Sequence, residues 1–293
     1  MPFGGWYAVC LAPTDLSPAR KRTLIIDCHT HLNRYTPDLP DTLEARHALL
    51  RREMDANGVA YALVISSYDV TPDRPPTDEV LDRLADDPRL GVIAAATAEM
   101  VRAGDYSALR ELVRTRPVKA LKLYPGYVPV ALTDERMRPF YELAEEADLP
   151  VMIHTGDTYE RSSRVRFAHP LAVDDVAVEF RRVRFVMAHM GNPWFLDAAE
   201  VVYKNDNVFG DVSGLTLGAF EPRFAAFART KLNEAIAFIN DPTKLMFGTD
   251  WPIAELGSYL RFVETLELTD EEREGMMWRN AARVFRIDTA ALE

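Results

Sequence analysis

The chain has 293 residues, 48% hydrophobic and 27% charged, the composition of a folded protein with one sizeable core. Its 34 Lys and Arg against 45 Asp and Glu give a net charge of -11, and no basic run could track a phosphate backbone, which argues against nucleic acid as a partner. No uncharged apolar run reaches the ~18 residues of a membrane span, and two cysteines, Cys10 and Cys28, fit a reducing, cytoplasmic setting better than a disulfide framework.

In chain order, residues 1–23 carry an apolar patch, WYAVCLA, with no basic residue ahead of it and with Pro13 and Asp15 cutting it short. This reads as a flexible N-terminal extension and not as a signal peptide. Eight short apolar runs then follow: LIIDCH (24–29), VAYALVIS (59–66), LGVIAAAT (90–97), VKALKLY (118–124), LPVMIH (149–154), VRFVMAH (183–189), NVFGDVS (207–213) and KLMFGTD (244–250). Charged amphipathic stretches separate them, such as 41–57, closed by Gly58, and 134–148, closed ahead of Pro150. The last one opens on a capping box, Thr269 to Glu272, and carries WRNAARVF, expected to close the fold. Strands alternating with helices imply parallel pairing, and near-continuous apolar strands imply cover on both faces. Eight such units predict an α/β fold, a (β/α)8 TIM barrel, as a single domain over 24–288. A doubly wound sheet has less support, since no G-x-G-x-x-G follows the first strand.

In such a barrel the C-terminal ends of the strands converge on one mouth, where polar residues read as functional. His29 and His31 are two apart where strand 1 runs out, His154 ends strand 5, His189 ends strand 6 and Asp250 ends strand 8. Four of the six histidines therefore sit at predicted strand ends; His47 and His169 do not. Any one of them alone reads as a satisfied core histidine, whereas the conjunction at one face reads as a ligand set for a shared cation. Asp27 shares the parity of the two histidines one step deeper, as a support for them or as a purely structural group. Cys28 is out of phase with His29 and is expected to pack toward the helix layer. Softer candidates for a substrate pocket are Arg34, Tyr35, Tyr124, Tyr127, Arg164, Trp194 and Trp251, with rim packing or a solvated loop as the alternative for each.

The stretches IIDCHTH, ALKLYPGY, VMIHTGD, FVMAHMGNPW, LMFGTDWP and NAARVF, in that order, resemble the amidohydrolase superfamily, and within it the amidohydrolase-related (amidohydrolase 2) metal-dependent hydrolases of TIM-barrel fold. The similarity covers 24–287. The resemblance implies that His29, His31, His154 and Asp250 bind one divalent metal, zinc first, with Mn or Fe compatible. It implies that His189 stands beside the ion. Such an ion lowers the pKa of a bound water to roughly 7. Asp250 would act as general base and then acid, and His189 would orient water or steady an oxyanion. Lys122, near the end of strand 4, is where two-metal members carry a bridging carboxylated lysine; a substrate anchor and a structural role stay open beside that.

The leading expectation is hydrolysis of a C–O or C–N bond in an ester, lactone or amide of a small molecule. The rival is non-oxidative decarboxylation of an aromatic or unsaturated carboxylic acid, a reaction of relatives with the same barrel and ligands. A barrel retained only as a binding scaffold is the third reading. Relatives are commonly dimers, so a homodimer is expected.

Overall fold

The computed structural model describes residues 24–292. The expected N-terminal extension lies outside them. The eight strands are β1 (Ile26–Thr30), β2 (Tyr61–Ile65), β3 (Leu90–Ala95), β4 (Val118–Leu123), β5 (Val151–His154), β6 (Phe185–Ala188), β7 (Val208–Asp211) and β8 (Leu245–Met246). They pair in parallel in sequence order. Beyond the short β8 the chain is stitched back to β1, with Cys28 N donating to Phe247 O at 3.0 Å, Asp250 N to His29 O at 2.8 Å and His31 N to Trp251 O at 2.7 Å. The barrel closes there, as predicted for a TIM barrel.

Strand alternation sorts two cores. Leu121, Leu123, Val151, Ile153, Phe185 and Met187 face outward into the helices, while Ile26, Ile93, Ala120, Met152, Val186 and Met246 fill the barrel. Each fully buried large apolar side chain contributes about 1.5–3 kcal/mol relative to exposure. Ala281, Val284 and Phe285 of the C-terminal helix join the inner cluster and plug the end of the barrel away from the site.

Helix signals hold at the termini. The helix Leu43–Asn57 is capped by Thr42, whose hydroxyl accepts from Ala45 N, and stops at Gly58 in the left-handed region. The stretch expected as one helix over 134–148 is a 3-10 turn, Glu135–Met137, followed by an α-helix, Arg138–Glu146. Pro139 has no N–H to continue the earlier turn but suits a first helical turn. The capping box at Thr269 and Glu272 is present. After it the chain widens into a π-helical turn, Gly275–Arg279, before the final helix Asn280–Phe285.

Cys28 corrects an expectation. It lies in the inner cluster, not against the helices. The pairing register slips between Asp27 and Thr30, and such an irregularity breaks the two-residue alternation, so Cys28 and His29 can both border the lumen.

Candidate active site

A cavity of about 330 Å³ opens at the C-terminal ends of the strands. His29, His31, Lys122, His154, His189 and Asp250 all line it. The first two come from the end of β1, Lys122 from β4 and His154 from the end of β5. His189 and Asp250 follow β6 and the β8 segment, and both adopt left-handed backbone, φ 66° and 68°. For residues other than glycine this conformation costs on the order of 1–3 kcal/mol and clusters where function dictates geometry. Gly214 packs directly beneath them. A Cβ there would stand 2.3 Å from His189 Nδ1 and 3.0 Å from Asp250 Oδ2, so only glycine allows the approach.

Hydrogen bonds set the direction of the rings. His31 Nδ1 donates to the main-chain oxygen of Ile65 at 2.9 Å, a partner that can only accept. His29 Nδ1 lies 3.0 Å from Asp211 Oδ2. With Nδ1 as the donor in each ring, Nε2 of both rings turns toward Asp250 Oδ1, at 3.1 Å from His31 and 3.6 Å from His29. Lone pairs aimed at a carboxylate oxygen call for a positive charge between them. Burial pushes the His29 imidazole down to about 3, and His154 and His189 are likewise lowered by burial, so these rings are neutral donors at neutral pH. Burial alone would raise the Asp250 carboxyl, but positive charge placed beside it, at His31 first, holds it well below the usual carboxylate range. Two imidazoles and an ionised carboxylate, buried together within 4.8 Å of one another, form a donor set that fits a divalent metal.

Asp211 supports this set from below. Its Oδ1 accepts from His189 N and Ser213 N, both at 3.0 Å, and from the Ser213 hydroxyl. Ser213 Oγ also lies 3.0 Å from His29 Nδ1 and 2.9 Å from His189 Nδ1, while His189 Nδ1 is 3.0 Å from Ser213 O. Burial would raise the Asp211 carboxyl, yet His29, His189 and Ser213 hold it below its ordinary value. His29, His189 and Asp211 form a second close cluster. The carboxylate is already saturated by protein donors there, so it orients the His29 ring directly and, through the His189 main chain and Ser213, the His189 ring. Asp27 ties β1 to the β8 segment, accepting from His29 N, Thr249 N and the Thr249 hydroxyl, with burial raising its carboxyl to about 7.

His154 borders the same cavity, its ring 5.0 Å from His189, but its Nε2 is engaged with Asp157 O at 2.9 Å and it belongs to neither close cluster. Tyr124 and Tyr127 line the cavity as expected. Four pocket candidates do not. Arg34 is consumed by its own loop through Pro37 O, Leu39 O and Asp41. Arg164 is exposed in the segment after β5. The Trp194 ring packs on His169 at 4.8 Å, and Trp251 is buried among Leu32, Leu43 and Leu50 behind the strand ends. The structure places these four as the alternative given above has it, in rim packing or in solvated loops.

Sequence reasoning missed Asp211 and Ser213, although the strand-end rule that found Asp250 applies equally to NVFGDVS. Tyr35, expected as a pocket residue, also lines the cavity, whereas Tyr68, Arg74 and Glu160, which line it too, sit on loops with no periodic signal.

Fold and site together define a TIM-barrel enzyme with a buried His/Asp cluster suited to a metal ion. The chain belongs to the amidohydrolase family (Amidohydro_2), whose sequence profile matches residues 26–287. A curated relative, the 2-keto-4-carboxy-3-hexenedioate hydratase of Sphingobium sp. (strain NBRC 103272 / SYK-6), is 28% identical over 185 residues, 54% of this chain and 52% of the relative. The chain thus spans about half the length of the curated relative it matches. Among solved structures, a probable 2-pyrone-4,6-dicarboxylic acid hydrolase from Acinetobacter baumannii superposes with a TM-score of 0.63 at 16% identity, covering 89% of this chain and 99% of that one. A 5-carboxyvanillate decarboxylase from Novosphingobium aromaticivorans, complexed with manganese and a nitrobenzoic acid, superposes at 0.64 and 12% identity, covering 91% and 97%. At these identities the structures speak for the fold alone.

Proposed function

We propose that the protein is a metal-dependent hydrolase that cleaves a C–O or C–N bond in an ester, lactone or amide. The observation that carries this reading is the convergence of His29 and His31 Nε2 on Asp250 Oδ1, with each Nδ1 committed elsewhere. His29, His31 and Asp250, with His154 facing them across the cavity, would hold one divalent ion, zinc by the nature of the donors. When bound, the ion supplies Lewis acidity that makes water nucleophilic near neutral pH and polarises a carbonyl.

The chain's own groups do the rest. Asp250, ionised and beside the ligand nitrogens, takes the proton of the attacking water and returns it to the leaving group. His189, with Nδ1 anchored at Ser213 O, presents Nε2 as the group that orients water or steadies the oxyanion. Asp211 and Ser213 fix the tautomers on which both roles depend.

Decarboxylation of an aromatic acid is the second reading, supported by the aromatic wall of Tyr68, Tyr124 and Tyr127 on one side of the cavity. Turnover of a panel of aryl esters, lactones, anilides and aromatic acids in 18O-labelled water separates the two. Hydrolysis places solvent oxygen in the acid product. Release of carbon dioxide from an aromatic acid, with no ester, lactone or amide cleaved, overturns the hydrolase reading.

A further inference from the structure

Lys122 is the group in the cavity that the proposed chemistry leaves unused. Its side chain is 0% exposed, and its Nζ is the sole buried side-chain nitrogen or oxygen without a hydrogen-bond partner among the described residues. The nearest recorded company is the face of Tyr124, its ring centroid 5.1 Å away. A buried ammonium without an acceptor is strongly disfavoured, and a ring face offsets only part of that cost. Lys122 is among the residues that line the cavity, so the missing partner of its amine can come from a ligand.

The charge balance of the cavity narrows what that ligand is. Arg74, also in the wall, is bound to Glu160 at 3.3 Å and Asp69 at 3.5 Å, and lies over Tyr35 and Tyr68. Lys122 is therefore the lining Lys or Arg with no carboxylate partner. Next to it the rings of Tyr68, Tyr124 and Tyr127 form a continuous surface, with centroids 4.9, 5.4 and 6.3 Å apart. Asp157, Glu160 and Asp250 supply negative charge elsewhere in the lining.

We propose that Lys122 is the anchor of a subsite for a single carboxylate carried on a flat conjugated ring, and that substrates with two or three carboxylates are rejected. This rests on reading the cavity as the active site. The carboxylate serves as a handle, and the bond to be cleaved lies over Asp250 and His189. With the ion at His29, His31 and Asp250 engaged by the bond to be cleaved, a second carboxylate would be desolvated with no further cation to meet it and would face the acidic lining, a cost that discriminates by repulsion. The hydratase and the pyrone hydrolase named above carry polycarboxylates in their names; the lining of this cavity offers one Lys or Arg without a carboxylate partner.

The test is calorimetric binding of benzoate, isophthalate and benzamide to the purified full chain. Benzoate should bind at least about tenfold more tightly than the other two, the scale of one charge-assisted hydrogen bond. Lys122→Met should weaken benzoate roughly 30-fold while leaving benzamide within about twofold. Lys122→Gln should act in the same direction, and serves if the methionine variant folds poorly. Tighter binding of isophthalate than benzoate, or equal loss of benzamide and benzoate, overturns the proposal. So does a carbamate carbon that appears by NMR after 13C-bicarbonate labelling and vanishes in Lys122→Met, since the amine would then be a metal bridge. A protein that cleaves esters but binds benzoate independently of Lys122 keeps the hydrolase reading and loses the subsite; one that cleaves none yet shows the benzoate pattern does the reverse.

Discussion

The two sides of the barrel mouth are built on opposite principles. On the side of β7, the β8 segment and β1, the recorded contacts of Asp211, Ser213, His29, His31 and Asp250 form one continuous network, and two imidazole lone pairs are left pointing at a carboxylate. On the side of β4 and β5, Lys122 has no partner and the surroundings are tyrosine rings. A saturated network fixes atoms in place, which a metal needs. An unsaturated amine beside aromatic faces leaves its strongest interaction to whatever enters. The site is preorganised for an ion on one side and unfinished without a substrate on the other.

Substitutions on the saturated side should have the largest effects. Asp250→Asn and His29→Ala should each lose most of the bound metal by elemental analysis and lower turnover by about 10³-fold or more, since ligand and proton acceptor vanish together. Retention of full activity in either would break the ligand assignment. His189→Asn should lower turnover by about 10²–10⁴-fold while sparing metal content. Loss of metal as complete as in His29→Ala would instead put His189 among the ligands.

A step smaller, Asp211→Asn should weaken metal affinity by about 10–100-fold, because the His29 tautomer is no longer held by a full charge. Unchanged affinity would mean the network merely packs.

The unfinished side should respond to pH. Burial lowers the Lys122 amine to about 8, against the pull of Asp211, Asp250 and Cys28 around it. The protonated form binds the anion, so benzoate affinity should be full below that value and fall as pH rises through about 8, and Lys122→Met should abolish the dependence. Smallest of all, Arg164→Ala should leave KM within about twofold, as expected of an exposed residue outside the cavity.

The barrel was legible because its strands announce themselves locally. Each run such as LPVMIH or VRFVMAH is short, apolar and followed by an amphipathic stretch, and eight in succession admit few topologies. The histidines and Asp250 were legible for the same reason, since a strand's end fixes where a side chain emerges. Cys28 defeated the parity argument because a register slip at β1 is invisible in a single sequence. Arg34 and Trp251 were misplaced because rotamer and loop path decide which way a rim residue turns. Tyr35, Tyr68, Arg74 and Glu160 meet only through the fold of separate loops. Lys122 showed at sequence level where it lies, but its isolation is a property of its neighbours and needed coordinates.

The most direct test of the saturated side is anomalous diffraction from crystals of the full chain, combined with elemental analysis of the same preparation. The account predicts one divalent ion per chain bonded to His29 Nε2, His31 Nε2 and Asp250, with His154 completing the set and Asp211 hydrogen-bonded to His29 and not to the ion. An ion bonded to Asp211, or a chain that binds none after incubation with zinc and manganese, would contradict it.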